Sequence, residues 1–159
     1  MIVYKRRMPR LAAGIAAISM VLGLAAPVLA NSAYSNKVYY TGSTYQWSYA
    51  YISDYADSRG CGNFNSWTKL MNTTKKVTWV KDVANFKSYG LGSISVGSST
   101  GATFQGSEVS LSWTNSNGAT GSYLSGTVCV SWFIVYVGMQ SVGSAFYNGT
   151  TRITQTPWL

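Results

Sequence analysis

Aromatic side chains recur at every second position through Tyr45, Trp47, Tyr49 and Tyr51, with Gln46, Ser48 and Ala50 between them. Period two is the strand period, so the four rings share one face at about 7 Å spacing. Such a row can serve as a stacking platform for a sugar, a porphyrin or a nucleobase. It can equally be the core side of a strand, and the solvent-compatible Gln46, Ser48 and Ala50 opposite favour that reading. A second concentration is cationic. Lys69, Lys75, Lys76, Lys81 and Lys87 fall within nineteen residues, opposed only by Asp82. Gathered on one groove, they would attract an anionic small molecule. Spread along an edge strand, they would instead discourage pairing with another sheet.

The missing residue types narrow the chemistry. The chain has no histidine. Ser–His and Cys–His nucleophile pairs and the usual zinc sites are therefore excluded, and no metal site is expected. The only acids are Asp54, Asp57, Asp82 and Glu108. That is too few, and too unpatterned, to favour a hydrolase with paired carboxylates. Asp54 and Asp57 read as acids of a solvated turn. Oxidisable groups are abundant by contrast: twelve tyrosines and six tryptophans, with Met71 and Met139 downstream. Without histidine, a bound haem would need Tyr, Met, Lys or Cys as its ligand. No catalytic residue can be assigned.

The amino terminus carries Lys5, Arg6, Arg7 and Arg10, then an apolar run over 11–26, then Pro27 and Val28-Leu29-Ala30. Charged, apolar and small-residue segments in that order form a secretory signal, with cleavage expected after Ala30. The run is too short to span a bilayer. Residues 31–159 are left as one domain. Four of the twelve bases leave with the signal, so the formal charge falls from +8 to +4. So modest a charge, with arginine nearly absent, argues against a nucleic-acid partner. Cys61 and Cys129 are the only cysteines. In a secreted chain such a pair forms a disulfide by default, here closing a 68-residue loop worth about 4 kcal/mol; two free thiols are the alternative.

Ser, Thr, Gly, Asn, Tyr and Trp dominate the mature chain, which favours strands joined by turns. Expected strands are 45–51, 76–81, 91–96 and 108–114, the last with Val109, Leu111 and Trp113 on one face. The run 127–139 is apolar at nearly every residue and reads as one central strand covered on both faces. Asn148-Gly149 joins the strands 144–147 and 150–154 as a hairpin, and Asn117-Gly118 marks another turn. The stretch 63–74 admits a short helix around Trp67 to Met71. Cys61, between Gly60 and Gly62, reads as part of a turn. The expected fold is all-β: a small immunoglobulin-like sandwich or partly open barrel with at most one short helix.

The whole layout resembles the secreted radical oxygenases of skin propionibacteria. The resemblance rests on the leader, a mature domain of this length, a basic charge and strands such as TYQWSYAY (44–51) and VTWVK (77–81). It implies an extracellular antioxidant that scavenges radicals or reactive oxygen species. It also implies an immunoglobulin-like fold with a positively charged groove and a redox-active or porphyrin-like ligand. No family residue role is transferred. The expected partner is an anionic small molecule or a reactive oxygen species, with no membrane span and a monomeric chain. Two other classes compete: a glycan- or cell-wall-binding module using the Tyr45–Tyr51 row, and a secreted inhibitor or bacteriocin-like effector acting through its turns.

Overall fold

A computed structural model describes residues 32–53 and 60–159. The expected signal segment (1–30) and the expected turn at Asp54 and Asp57 lie outside the described residues. Among those described there are eleven strands and no helix: β1 (Ser32–Tyr34), β2 (Val38–Tyr39), β3 (Tyr45–Ile52), β4 (Cys61–Met71), β5 (Trp79–Gly90), β6 (Ile94–Ser98), β7 (Thr103–Gly106), β8 (Glu108–Asn115), β9 (Gly121–Val130), β10 (Ile134–Tyr147) and β11 (Thr150–Gln155). They form two antiparallel sheets. The larger runs β1-β3-β4-β9-β6-β7 with β2 added beside β3, and the smaller runs β11-β10-β5-β8. The sheets are not closed into a barrel, and the architecture is a β-sandwich.

Strict alternation builds each layer. In β5, Val80, Ala84 and Phe86 point inward while Lys81, Asn85 and Lys87 point out. In β4, Phe64, Ser66, Thr68 and Leu70 are buried, and Asn65, Trp67 and Lys69 lie on the outer side. One apolar cluster gathers Phe64, Phe86, Ile94, Val96, Leu111, Val128 and Met139 between the sheets. A smaller one gathers Leu70, Val77, Val80, Ala145 and Tyr147.

Between these clusters the interior is polar. Asp82 is wholly buried and accepts hydrogen bonds from Ser66 (2.5 Å), Thr68 (2.8 Å) and Ser141 (2.8 Å). The Ser48 hydroxyl joins Thr68 and Thr154, and Gln46 donates to Thr154. These contacts require the sheets to approach closely. Gly143 permits it: a Cβ there would sit 2.2 Å from both the Ser48 and Thr68 hydroxyl oxygens.

Several expectations change. The run 127–139 is two strands, not one: β9 ends at Val130, the chain turns, and β10 starts at Ile134. Phe133 takes a left-handed φ of 72° at that turn. Hydrophobicity alone could not mark the break, because the turn residues Trp132 and Phe133 are apolar yet exposed. The segment 61–71 is a continuous strand with no helix at Trp67–Met71. Val77 precedes β5 and is buried like Val80, so the alternation begins only at Trp79. Leu91 lies in the turn before β6. The 148–149 hairpin forms as the Asn-Gly pair dictates, with φ of 49° and 78°. Cys61 is the first residue of β4, directly opposite Cys129 on β9, and the two are disulfide-bonded. The cystine therefore links neighbouring strands of one sheet.

Candidate functional site

The aromatic row of β3 lies on the outer face of the large sheet, opposite to the core placement that its composition favours. Gln46, Ser48, Ala50 and Ile52 are the buried residues of this strand. The physical reason is the polar interior: Gln46 and Ser48 are inside because Thr68 and Thr154 satisfy them there, and buried polar groups persist when so paired.

Register then extends the row sideways. Tyr49 faces Tyr34 on β1 and Trp67 on β4, Trp47 faces Lys69, Tyr45 faces Tyr39 on β2, and Trp67 faces Tyr123 on β9. The rings are in contact. Tyr34 stacks on Trp47 at 5.0 Å and 15° and meets Tyr49 at 4.8 Å. Tyr49 stacks on Trp67 at 5.4 Å, and Trp47 meets Trp67 edge-on at 5.1 Å. Tyr39, Tyr45 and Trp47 continue the series at 5.6 and 6.4 Å. Six rings thus form one connected network, in the offset and edge-on arrangements that aromatic quadrupoles prefer. Its rim is open, with Tyr34, Tyr39 and Tyr123 more than half exposed. Tyr51 ends the row, exposed at the strand terminus.

Two cations sit on this face. Lys37 Nζ lies 4.6 Å from the Tyr45 ring centre, and Lys69 Nζ lies between Trp67 (4.4 Å) and Tyr123 (5.3 Å). Cation–π attraction holds each ammonium over its ring. The Trp47 indole N–H is buried and has no hydrogen-bond partner. A buried donor left so costs about 1–3 kcal/mol.

The other lysines lie elsewhere. Lys81 and Lys87 are on the outer face of the small sheet, the far side of the sandwich from Lys69. Lys87 pairs with Glu108 at 2.8 Å. Lys75 and Lys76 lie in the β4–β5 connection, and Lys75 donates to Asn148 at 2.7 Å. Of the nine residues singled out as ligand-binding, the structure brings together Tyr45, Trp47, Tyr49 and Lys69, with Tyr51 at the margin. Tyr34, Tyr39, Trp67, Tyr123 and Lys37 were not singled out. A signal for Trp67 exists in the alternation Asn63, Asn65, Trp67, Lys69; the helix alternative at this stretch obscured it.

An uncharged cleft of about 420 Å³ opens between the β6–β7 edge and β8, lined by residues including Phe104 and Trp113 and sharing Tyr123 with the ring face. Among the described residues, no three His, Cys, Asp or Glu side chains gather into a cation site. A porphyrin would find Met139 wholly buried and both cysteines in the disulfide. Met71, exposed opposite Tyr45, and the rim tyrosines are the donors that could reach it. Lys37 and Lys69 are the two cations held over this ring face. Comparison of the chain with family models, curated proteins and solved structures finds no match.

Proposed function

We propose that this protein is an extracellular radical scavenger in which the outer aromatic face of the large sheet supplies the electrons. The observation that carries the reading is the unbroken ring network from Tyr39 to Trp67, with neighbouring centroids 4.8 to 6.4 Å apart. A rim phenol gives a hydrogen atom to an attacking radical, forming the reduced species and a phenoxyl. Two such phenoxyls couple into dityrosine, so the reaction balances with no other reductant. Tyr34 and Tyr49 are in contact and placed for that step. An electron vacancy reaching Trp47 has no acceptor for the indole proton, which favours its passage to solvent-facing tyrosines. The disulfide and the expected leader support an extracellular setting. A porphyrin stacked on this face would supply its own one-electron chemistry, with Lys37 and Lys69 holding its carboxylates.

The test is exposure of residues 31–159 to thermally generated peroxyl radicals. The protein should consume them and develop dityrosine fluorescence, and a variant with Tyr34, Tyr49, Trp47 and Trp67 all changed to Phe should lose most of both. Consumption no greater than by the same amount of free tyrosine and tryptophan would overturn the reading. A second reading, binding of a flat glycan or other planar ligand on the same face, is favoured by Lys69 lying between two rings. It predicts ligand-induced quenching of tryptophan fluorescence without dityrosine.

A further inference from the structure

At one end of the sandwich, four large apolar side chains project into solvent. Leu91 is 94% exposed, Trp132 89%, Phe133 79% and Val135 88%. Leu91 comes from the β5–β6 turn, Trp132 and Phe133 from the β9–β10 turn and Val135 from the start of β10, and the two turns are tied together where Leu91 N–H donates to the Phe133 carbonyl at 3.2 Å. Scattered exposed hydrophobics need no explanation, but a contiguous group does.

The backbone holds them outward. Phe133 has a left-handed φ of 72°, which costs a non-glycine residue about 1–2 kcal/mol. Val135 is the unpaired residue of a β-bulge, because Ile134 pairs with Gly90 and Tyr136 with Tyr89. Bulges turn a side chain out of the ladder. Gly90 lets the turns touch: a Cβ there would lie 2.2 Å from the Phe133 carbonyl oxygen.

Chemistry changes in order away from the tip. Behind the four apolar groups stand Tyr89 and Tyr136, half exposed with rings 5.5 Å apart. Behind these stands the first charged pair among the described residues, Lys87 and Glu108. No other charged residue occurs between positions 88 and 151. Apolar tip, tyrosine belt, then charge is the order of a bilayer interface, where Tyr and Trp sit at headgroup level. Lys87 is three residues from Gly90, or roughly 10 Å along the strand. That matches the 5–10 Å to which interfacial elements typically bury.

We propose that this tip docks the protein on an uncharged lipid surface, inserting Leu91, Trp132, Phe133 and Val135 to the level of Tyr89 and Tyr136. The experiment is flotation of residues 31–159 with phosphatidylcholine vesicles at low and high salt, with light scattering of the free protein. The wild type should float at both salts. Trp132→Ser and Phe133→Gly should each weaken partitioning ~10-fold or more, the loss of one inserted large side chain. Phe133→Gly also relieves the left-handed φ, so its unfolding midpoint should be unchanged or higher, which separates docking from folding. Failure of the wild type to float, or equal flotation of the variants, overturns the proposal. So does binding abolished by high salt, which would assign it to the lysines. A wild-type dimer that Trp132→Ser converts to monomer, with no flotation, would make a second copy the occupant.

Discussion

The Ser66 hydroxyl on the large sheet donates at 2.5 Å to Asp82 Oδ2 on the small sheet. This is one of three hydroxyl contacts that hold a wholly buried carboxylate, and none comes from a cation. Burial pushes the Asp82 carboxyl above its ordinary value; the hydrogen bonds from Ser66, Ser141 and Thr68 oppose that rise. With the folded pKa above the unfolded one, the folded state holds the proton more tightly. The resulting stability is complete below the unfolded carboxylate value and is lost as pH rises through the folded one. Thermal unfolding should therefore move to higher temperature on mild acidification from neutral pH. Asp82→Asn should flatten that dependence without loss at neutral pH. Asp82→Ala, leaving three buried hydroxyls without their acceptor, should cost about 2–4 kcal/mol. Equal pH profiles for wild type and Asp82→Asn would rule this account out.

The outer position of the aromatic row has its own energetic signature. Phe64 is buried against Phe86, so Phe64→Ala should cost about 3–5 kcal/mol. Trp47 is only half-buried and its indole N–H is unpaired. Trp47→Phe keeps a ring against Tyr34 and removes the orphan donor, so its cost should fall below about 1 kcal/mol. Chemical denaturation of the two variants decides the matter. A Trp47→Phe loss as large as that of Phe64→Ala would mean that the row works as core.

These two faces of β3 define what is legible in a sequence. Period two placed Tyr45, Trp47, Tyr49 and Tyr51 together and located the strand to within a residue. Periodicity cannot say which face is inside. Hydrophobicity argued for the rings, but hydrogen bonds from distant strands decided for Gln46 and Ser48. Hydroxyls of Ser66, Thr68 and Ser141, all distant in sequence, likewise make Asp82 an interior residue rather than one more surface charge. The Asn148-Gly149 hairpin was legible because its geometry is local. The break at Trp132-Phe133 was not, since it carries no Gly, Pro or Asn and its residues are apolar.

The cystine should be stable and worth its loop. Cys61 and Cys129 are register partners in adjacent strands, 68 residues apart in sequence. Closing that loop contributes about 4 kcal/mol in the chain-entropy model. Exported protein should have an intact mass that begins at Asn31 and lies two hydrogens below the reduced form. The double variant Cys61→Ala, Cys129→Ala should lower the urea midpoint accordingly. Thiol labelling of the folded protein before reduction would contradict the pairing.

Tyr147 provides the last test, because its hydroxyl sits among donors. The Thr74 and Lys75 backbone N–H groups approach its oxygen at 2.9 and 3.1 Å, and the Thr74 hydroxyl is at 3.2 Å. These contacts favour the phenolate, the Thr74 hydroxyl most, and lower the Tyr147 pKa to about 8. Tyr40, edge-on to the same ring, is moved the other way: burial raises it to about 12. Absorbance titration of the folded protein should show one phenol ionising near pH 8, well before Tyr40. The sign for stability follows from proton counts. Between about pH 8 and the ordinary tyrosine value near 10, the unfolded chain holds more protons at this site, so the site's contribution grows as pH rises through that window. Thr74→Val removes the hydroxyl but keeps the backbone donors, so the early step should move upward without disappearing. Replacing Tyr147 by Phe should abolish it. An early phenol that survives in Tyr147→Phe would place the perturbed group elsewhere, and the donor cluster at Thr74 and Lys75 would then have no bearing on the titration.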